Sequence, residues 1–267
     1  MGWITLTYVL IKYAGFSAHF SSSLIISSRF TLLYSMKRYA IIPTRESVVD
    51  CDDKTTTVGK LNRFLTVAGW EVHFIRHAKS MLGALRTGVE ECGIKTGDYV
   101  IYCHDDIEIL NNVEYFNGIL DAKLKNPKTG FTGIAGTAIL TDTINWFACS
   151  RQHNSGGGMV YHGEDYDSMY LTPYGPAKDV VTLDGCFLAT TGKTLYEISL
   201  RAPSSWKSAW HHYDTFLTFQ AHIKKKVNKI SPISLRHASG GDYNNLYLED
   251  IPRVAQSFAK HLPAVIH

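Results

Sequence analysis

Three short apolar runs, separated by two segments with helical spacing, constrain this chain more than any other feature. Tyr39-Ala-Ile-Ile42 is apolar and ends in the polar stretch Pro43-Thr-Arg-Glu-Ser47. Trp70-Glu-Val-His-Phe-Ile75 alternates, and Asp98-Tyr-Val-Ile-Tyr-Cys103 is almost continuously apolar. Between the first two runs, Val58, Leu61, Leu65 and Ala68 recur at helical intervals until Gly69. Between the second and third, Met81, Leu82, Ala84, Leu85 and Val89 do the same from Ser80 to Cys92, and Gly93 closes the segment. Strand, helix, strand, helix, strand at this rhythm predicts right-handed crossovers and a mostly parallel central sheet flanked by helices, an α/β, Rossmann-like domain. Ligands of such sheets bind beyond the carboxyl ends of the strands. Two polar clusters fall there: Thr44-Arg45-Glu46-Ser47 and His104-Asp105-Asp106.

The rest of the chain extends the pattern. Asn112–Leu124 reads as a helix and Phe131–Leu140 as a glycine-containing strand. Residues 150–174, with Gly156-Gly157-Gly158, read as a long mobile loop or a hairpin. Val180–Ala189 is a buried strand interrupted by Asp184-Gly185. Asp214–Ile223 has helical spacing, Lys226–Ile230 a strand pattern, and Leu248–Phe258 a helical one. With 45% hydrophobic and 19% charged residues the chain is globular, and from Met36 onward it reads as one domain, 36–267. A net charge of +3 argues against nucleic acid as a partner, since a duplex binder concentrates its cations. Lys224-Lys225-Lys226 reads as a solvated helix end. Five cysteines, with no CxxC spacing, exclude a disulfide framework and point to a reducing, cytoplasmic compartment. Residues 1–35 contain no acid and two broken apolar runs. They read as a targeting segment, a weak anchor or an over-extended start, so membrane association through them stays open.

Four constellations carry chemistry. The first is the strand that runs into His104-Asp105-Asp106. Adjacent carboxylates at the end of a buried strand repel each other and lose solvation, costs that a divalent cation relieves. Oxygen ligands suit Mg²⁺ or Mn²⁺. A capping aspartate at a turn is the plainer alternative. The second is Asp184-Gly185, a carboxylate inside an apolar strand beside a residue that lets a ligand approach, or else a β-bulge. The third is Trp210-His211-His212-Tyr213-Asp214, where Asp214 is either a helix N-cap or a general base, with His and aromatic rings to stack on a sugar. The fourth is Arg236-His237-Ala238-Ser239-Gly240-Gly241, whose His237 is a candidate second-side metal ligand, although a lone histidine is more often structural.

Taken in this order, the fragments resemble the GT-A glycosyltransferases, in particular the family-2-like branch of bacterial and large-virus enzymes with a His-x-Asp metal motif. The matching pieces are His104-Asp105-Asp106, Gly133-Ile-Ala-Gly136, Trp146, Leu183–Ala189, His211–Asp214 and His237–Gly241, spread over roughly residues 38–242. The resemblance implies a single GT-A domain that moves a sugar from a nucleotide-diphosphate donor to a sugar or lipid-linked acceptor, with inversion. It implies that Asp106 and His237 hold the metal with Asp105 in or near its shell. Thr44, Arg45, Glu46, Arg76, Ser80, Arg86 and His104 would surround the nucleotide. Asp184, Gly185, Trp146, His211, His212 and Tyr213 would face the donor sugar or acceptor, and Asp214 would be the base. Many relatives carry asparagine near position 86, so Arg86 is a departure. Two rivals stand beside this reading. A sugar nucleotidyltransferase is disfavoured by the absence of glycine in Pro43–Ser47. A non-catalytic sugar-nucleotide-binding protein of the same fold takes its support from Arg86.

Overall fold

The computed structural model describes residues 36–239 and 244–266. The readings placed on residues 1–35, Gly240 and Gly241 lie outside the described residues. In chain order the elements are β1 (Arg38–Thr44), α1 (Val48–Asp52), α2 (Thr57–Val67), β2 (Glu71–Arg76), α3 (Met81–Glu91), β3 (Tyr99–Cys103), β4 (Ile107–Ile109) and α4 (Val113–Leu124). Then come β5 (Thr129–Gly133), β6 (Ala135–Thr137), β7 (Ile139–Leu140), α5 (Trp146–His153), β8 (Gly156–His162) and β9 (Tyr170–Pro176). The chain continues with β10 (Asp179–Val180), β11 (Thr182–Leu183), β12 (Phe187–Thr191), α6 (Gly192–Glu197) and α7 (Tyr213–Ile223). It closes with β13 (Val227–Ile230), β14 (Leu235–His237), α8 (Asn245–Phe258) and β15 (Ala264–Val265).

The central sheet has seven strands in the order β10-β13-β5-β12-β3-β1-β2. β1, β2 and β3 are parallel, as are β5 and β13, whereas β12 runs antiparallel to both β3 and β5 and β10 runs antiparallel to β13. Five strands therefore share one direction and two oppose it, so the sheet is mixed rather than purely parallel. Alternation along each strand sends side chains to two cores. Ile41, Val100 and Tyr102 pack on one face with α3, α7 and α8; Ala40, Ile42, Ile101 and Cys103 pack on the other with α2 and α4. Ser80 and Asn112 cap α3 and α4 by accepting the Gly83 and Tyr115 N–H groups.

A second sheet, β11-β6-β8-β14-β4, crosses the carboxyl end of the first, and β9 pairs with β8 to form its hairpin. The Phe131–Leu140 strand of the sequence reading is three pieces in three sheets, and Val180–Ala189 is three pieces in two. Within β6, Gly136 is required by close backbone approach, since a Cβ there would overlap the Thr182 carbonyl of the paired β11. The stretch 150–174 holds the end of α5 and most of the β8–β9 hairpin, whose register shifts between Gly158 and Met159. α1 and the short strands β4 and β14 carry too few residues to show a period. No described helix is long and apolar enough to cross a membrane.

Candidate functional site

The carboxyl ends of β1, β2 and β3 open into a cavity of about 770 Å³. Each strand delivers its polar cluster: Thr44, Arg45 and Glu46 from β1, Arg76 from β2, and His104, Asp105 and Asp106 from β3. The second sheet adds His237, the turn before β12 adds Asp184 and Gly185, and the start of α7 adds His211, His212, Tyr213 and Asp214. Trp146 lines the wall, packed edge-on against Tyr174. Of the residues singled out in the sequence, Ser80 and Arg86 alone do not line this cavity. Ser80 is occupied as the α3 cap, and Arg86 points along α3 toward Glu90, 3.9 Å away.

At the cavity floor, three ligand-type atoms converge. His104 Nδ1 is 3.2 Å from His237 Nε2, which is 3.2 Å from Asp106 Oδ1; His104 Nδ1 and Asp106 Oδ1 are 3.7 Å apart. These are the three residues of the described chain whose ligand atoms lie within 4.8 Å of one another. Asp106 Oδ1 is buried and has no hydrogen-bond partner among the described residues, because the His237 contact has the distance but not the direction. A buried, orphaned carboxylate oxygen is costly unless something else satisfies it. A point equidistant from the three atoms stands about 2 Å from each, close to the bond lengths of small divalent ions to nitrogen and oxygen. The donor set thus fits a divalent cation.

Electrostatics agree. Burial would raise the Asp106 carboxyl, but His237, His104 and Ser239 hold it below the ordinary range. His237 is pulled the other way: burial lowers it, yet the Asp106 contact raises it overall. His104 is depressed by burial and by the neighbouring His237 charge. Its Nε2 lies 2.7 Å from the Tyr213 hydroxyl. With Nε2–H donating to Tyr213, Nδ1 presents its lone pair to the centre, the tautomer a ligand needs. Asp105 stands outside this group, accepting the Thr44 hydroxyl at 2.5 Å. The sequence pairing of Asp105 with Asp106 gives way to His104 with Asp106, because alternation at the strand end turns neighbouring side chains apart.

Asp214 sits on the other side of Tyr213. It is not the N-cap of α7: His212, in the left-handed region at φ 58°, holds that place and Asp214 lies in the first turn. Its Oδ1 accepts the Thr215 N–H at 2.7 Å. Burial and the nearby Asp184 carboxylate push Asp214 up to about 7. Asp184 itself accepts the Cys186 N–H at 2.9 Å, fixing the turn. Gly185 does not leave room for a ligand in the way its sequence suggests; a Cβ there would overlap the Tyr213 hydroxyl, so the glycine admits the tyrosine. His212 stacks on Tyr247 at 4.3 Å and contacts its carbonyl, tying α8 to the rim.

Sequence reasoning assigned no site role to Tyr247, His77 and Met81, which also line the cavity, as does Ser239 of the His237 motif. Trp210, named there only as a neighbour of Asp214, carries the Arg45 guanidinium 5.5 Å over its ring. Tyr247 comes from α8, distant in sequence, and no local pattern announces it.

The mixed sheet flanked by helices, with its strand ends opening into one cavity, has the architecture of the GT-A glycosyltransferases. The sequence profile of the glycosyltransferase like family matches residues 56–231, and the chain belongs to that family. Among solved structures, GalNAc-T7 with UDP, GalNAc and Mn²⁺ superposes with a TM-score of 0.50 at 12% identity over 85% of this chain. The chain spans about half of that protein, 49% of its length. UDP-glucose pyrophosphorylase complexed with UDP-glucose matches at a TM-score of 0.38 and 9% identity, over 84% of this chain and 99% of that one. No curated protein matches the sequence.

Proposed function

We propose that the protein transfers a sugar from a nucleotide-diphosphate donor to a carbohydrate or lipid-linked acceptor hydroxyl, with inversion, and that residues 36–267 form the transferase domain. The observation that carries this reading is the single cavity shared by the His104–Asp106–His237 group and Asp214. Support also comes from GalNAc-T7, whose structure contains UDP, GalNAc and Mn²⁺.

His104, Asp106 and His237 would hold the cation. Two imidazoles with one carboxylate suit Mn²⁺ better than the harder Mg²⁺. Bound there, a divalent cation supplies the charge that stabilises a departing nucleoside diphosphate. The chain does the rest. Thr44 fixes the Asp105 carboxylate at the end of β1, where donor hydroxyls would be gripped. Arg45 and Arg76 bring positive charge to the same end of the cavity. Asp214, raised to about 7, exchanges a proton near neutrality and so suits deprotonation of the acceptor hydroxyl. Tyr213 spaces this base from the cation ligands by touching His104 on one side and adjoining Asp214 on the other.

The test is a panel of nucleotide sugars incubated with the protein and Mn²⁺, scored for nucleoside diphosphate release and for the anomeric configuration of any glycoside formed. One donor should be consumed, and both Asp106→Ala and Asp214→Asn should abolish transfer while remaining folded. Wild-type turnover in either variant would overturn the assignment. Release of pyrophosphate from a nucleoside triphosphate would favour a nucleotidyltransferase instead.

A further inference from the structure

The end of the sheet opposite the cavity is built from lysines. The strands β13, β5, β12 and β3 are neighbours, and each brings a lysine-bearing turn to that one end. β13 begins after Lys224 and Lys225, and β5 begins after Lys125 and Lys128. β12 runs the other way and ends at Thr191, just before Lys193, while β3 begins shortly after Lys95. The turns touch: the Val227 N–H donates to the Lys128 carbonyl at 2.8 Å, the Thr190 hydroxyl to the Gly130 carbonyl at 2.6 Å, and the Lys193 N–H to the Thr96 carbonyl at 3.0 Å. All six lysines are exposed, and none makes an ion pair among the described residues.

Three of the acids nearby are already committed. Glu197 pairs with Lys226 at 2.9 Å, Asp121 with Arg38 at 2.8 Å, and Asp98 is fully buried, accepting the Lys95 and Lys37 N–H groups. Exposed Glu90 and Glu91 close α3 just before Lys95, and Glu90 lines the same shallow hollow as Lys95 and Tyr196, so the positive charge of the row is concentrated at the β5 and β13 turns. Lys125, Lys128, Lys224 and Lys225 thus form a local concentration of positive charge that raises the potential of this end toward anions.

We propose that this lysine end of the sheet docks on an anionic lipid bilayer. Three observations choose a membrane over a nucleic acid. The row is all lysine, a point charge suited to a diffuse anionic surface, and lacks the arginine forks that grip individual phosphates. Its aromatic member, Tyr196, is 59% exposed and has its hydroxyl held 2.6 Å from the Ile94 carbonyl. That ring is available for a lipid interface rather than interleaved with the lysines as a base-stacking platform. The chain also enters β1 from Lys37 at this same end, after a 35-residue stretch without Asp or Glu. Docked this way, the cavity stands at the far end of the sheet from the lipid, about 17 Å away along strands of five residues at 3.3 Å each.

The experiment is sedimentation of the full chain with vesicles, either pure phosphatidylcholine or phosphatidylcholine with 30% phosphatidylglycerol, compared with the variant Lys125→Glu, Lys128→Glu, Lys224→Glu, Lys225→Glu. All four positions are exposed loop residues, and circular dichroism checks that the variant is folded. A control carries Lys54→Glu, Lys79→Glu and Lys260→Glu elsewhere on the surface. Wild type and control should favour the anionic vesicles, and the four-lysine variant should lose about 100-fold or more of that preference. In 0.5 M NaCl the wild-type preference should collapse toward the variant's. Equal preference in wild type and the four-lysine variant, no preference in wild type, or retention on single-stranded RNA with none on anionic vesicles would each overturn the proposal.

Discussion

Glu108 and Arg236 face each other across β4 and β14, with Oε2 and the guanidinium 2.9 Å apart and both side chains nearly buried. Glu108 lies two residues after Asp106, and Arg236 immediately precedes His237. The Tyr166 hydroxyl adds a 2.5 Å bond to Glu108 from the β8–β9 turn, and Arg236 also donates to the Gly163 and Glu164 carbonyls. β4, which follows Asp106, and β14, which ends in His237, are therefore clamped by a buried ion pair next to the proposed cation ligands.

Breaking the clamp by removing one partner leaves a charge stranded in a low-dielectric setting. Glu108→Gln should cost roughly 3 kcal/mol in denaturant unfolding. It should also weaken Mn²⁺ binding about tenfold or more, as loosened ligand support does elsewhere. Calorimetric titration of Mn²⁺ measures the second effect, and unchanged affinity would show that the clamp serves stability alone.

Asp214 makes a stability prediction as well as a catalytic one. Its folded carboxyl titrates near 7, above the ordinary value of 3.8, so between those values the folded state holds a proton the unfolded state has lost. Stability must then fall as pH rises from about 4 through 7. Asp214→Asn removes this penalty and should raise the unfolding free energy at pH 8 by roughly 4 kcal/mol, and by little at pH 4. Transfer should rise with pH through about 7 in the wild type and be absent in the variant at every pH.

Gly185 and Tyr213 should behave as a packed pair. Gly185→Ala places a methyl group against the Tyr213 ring, and overpacking of this kind costs about 1–3 kcal/mol. Tyr213→Phe frees His104 Nε2 to choose its tautomer and should weaken Mn²⁺ binding while leaving the fold intact. A shifted His104 ring resonance in NMR of the variant checks this.

Much of the fold was legible because β1, β2, β3, α2 and α3 are long enough to show their period, and the ligand-bearing turns follow directly from them. The mixed direction of the sheet was hidden because β12 is as apolar as its parallel neighbours; burial on both faces erases any sign of direction. In the site, His104, Asp106 and His237 were each visible as polar residues at strand ends. What sequence did not show is that His104 rather than Asp105 turns toward Asp106, since that depends on the pleat at one residue. Ser80 was placed at the nucleotide by the family resemblance alone, and the serine that begins an apolar helix serves instead as its cap. Tyr247 had no local signal at all, its place being set by the stack on His212.

Asp105 and Asp106 should separate two functions. Asp105→Asn keeps the three converging ligand atoms and should raise the donor KM with little effect on Mn²⁺ affinity. Asp106→Ala should remove both. Identical effects of the two substitutions on Mn²⁺ titration would argue that both carboxylates hold the ion.

The most direct measurement is calorimetric titration of a nucleoside diphosphate such as UDP into the protein with saturating Mn²⁺, with EDTA, and into Asp106→Ala with Mn²⁺. The His104–Asp106–His237 group should make nucleotide binding depend on the cation, so that affinity falls at least tenfold with EDTA and equally in the variant. Nucleotide binding of undiminished affinity under EDTA and in Asp106→Ala would contradict the account.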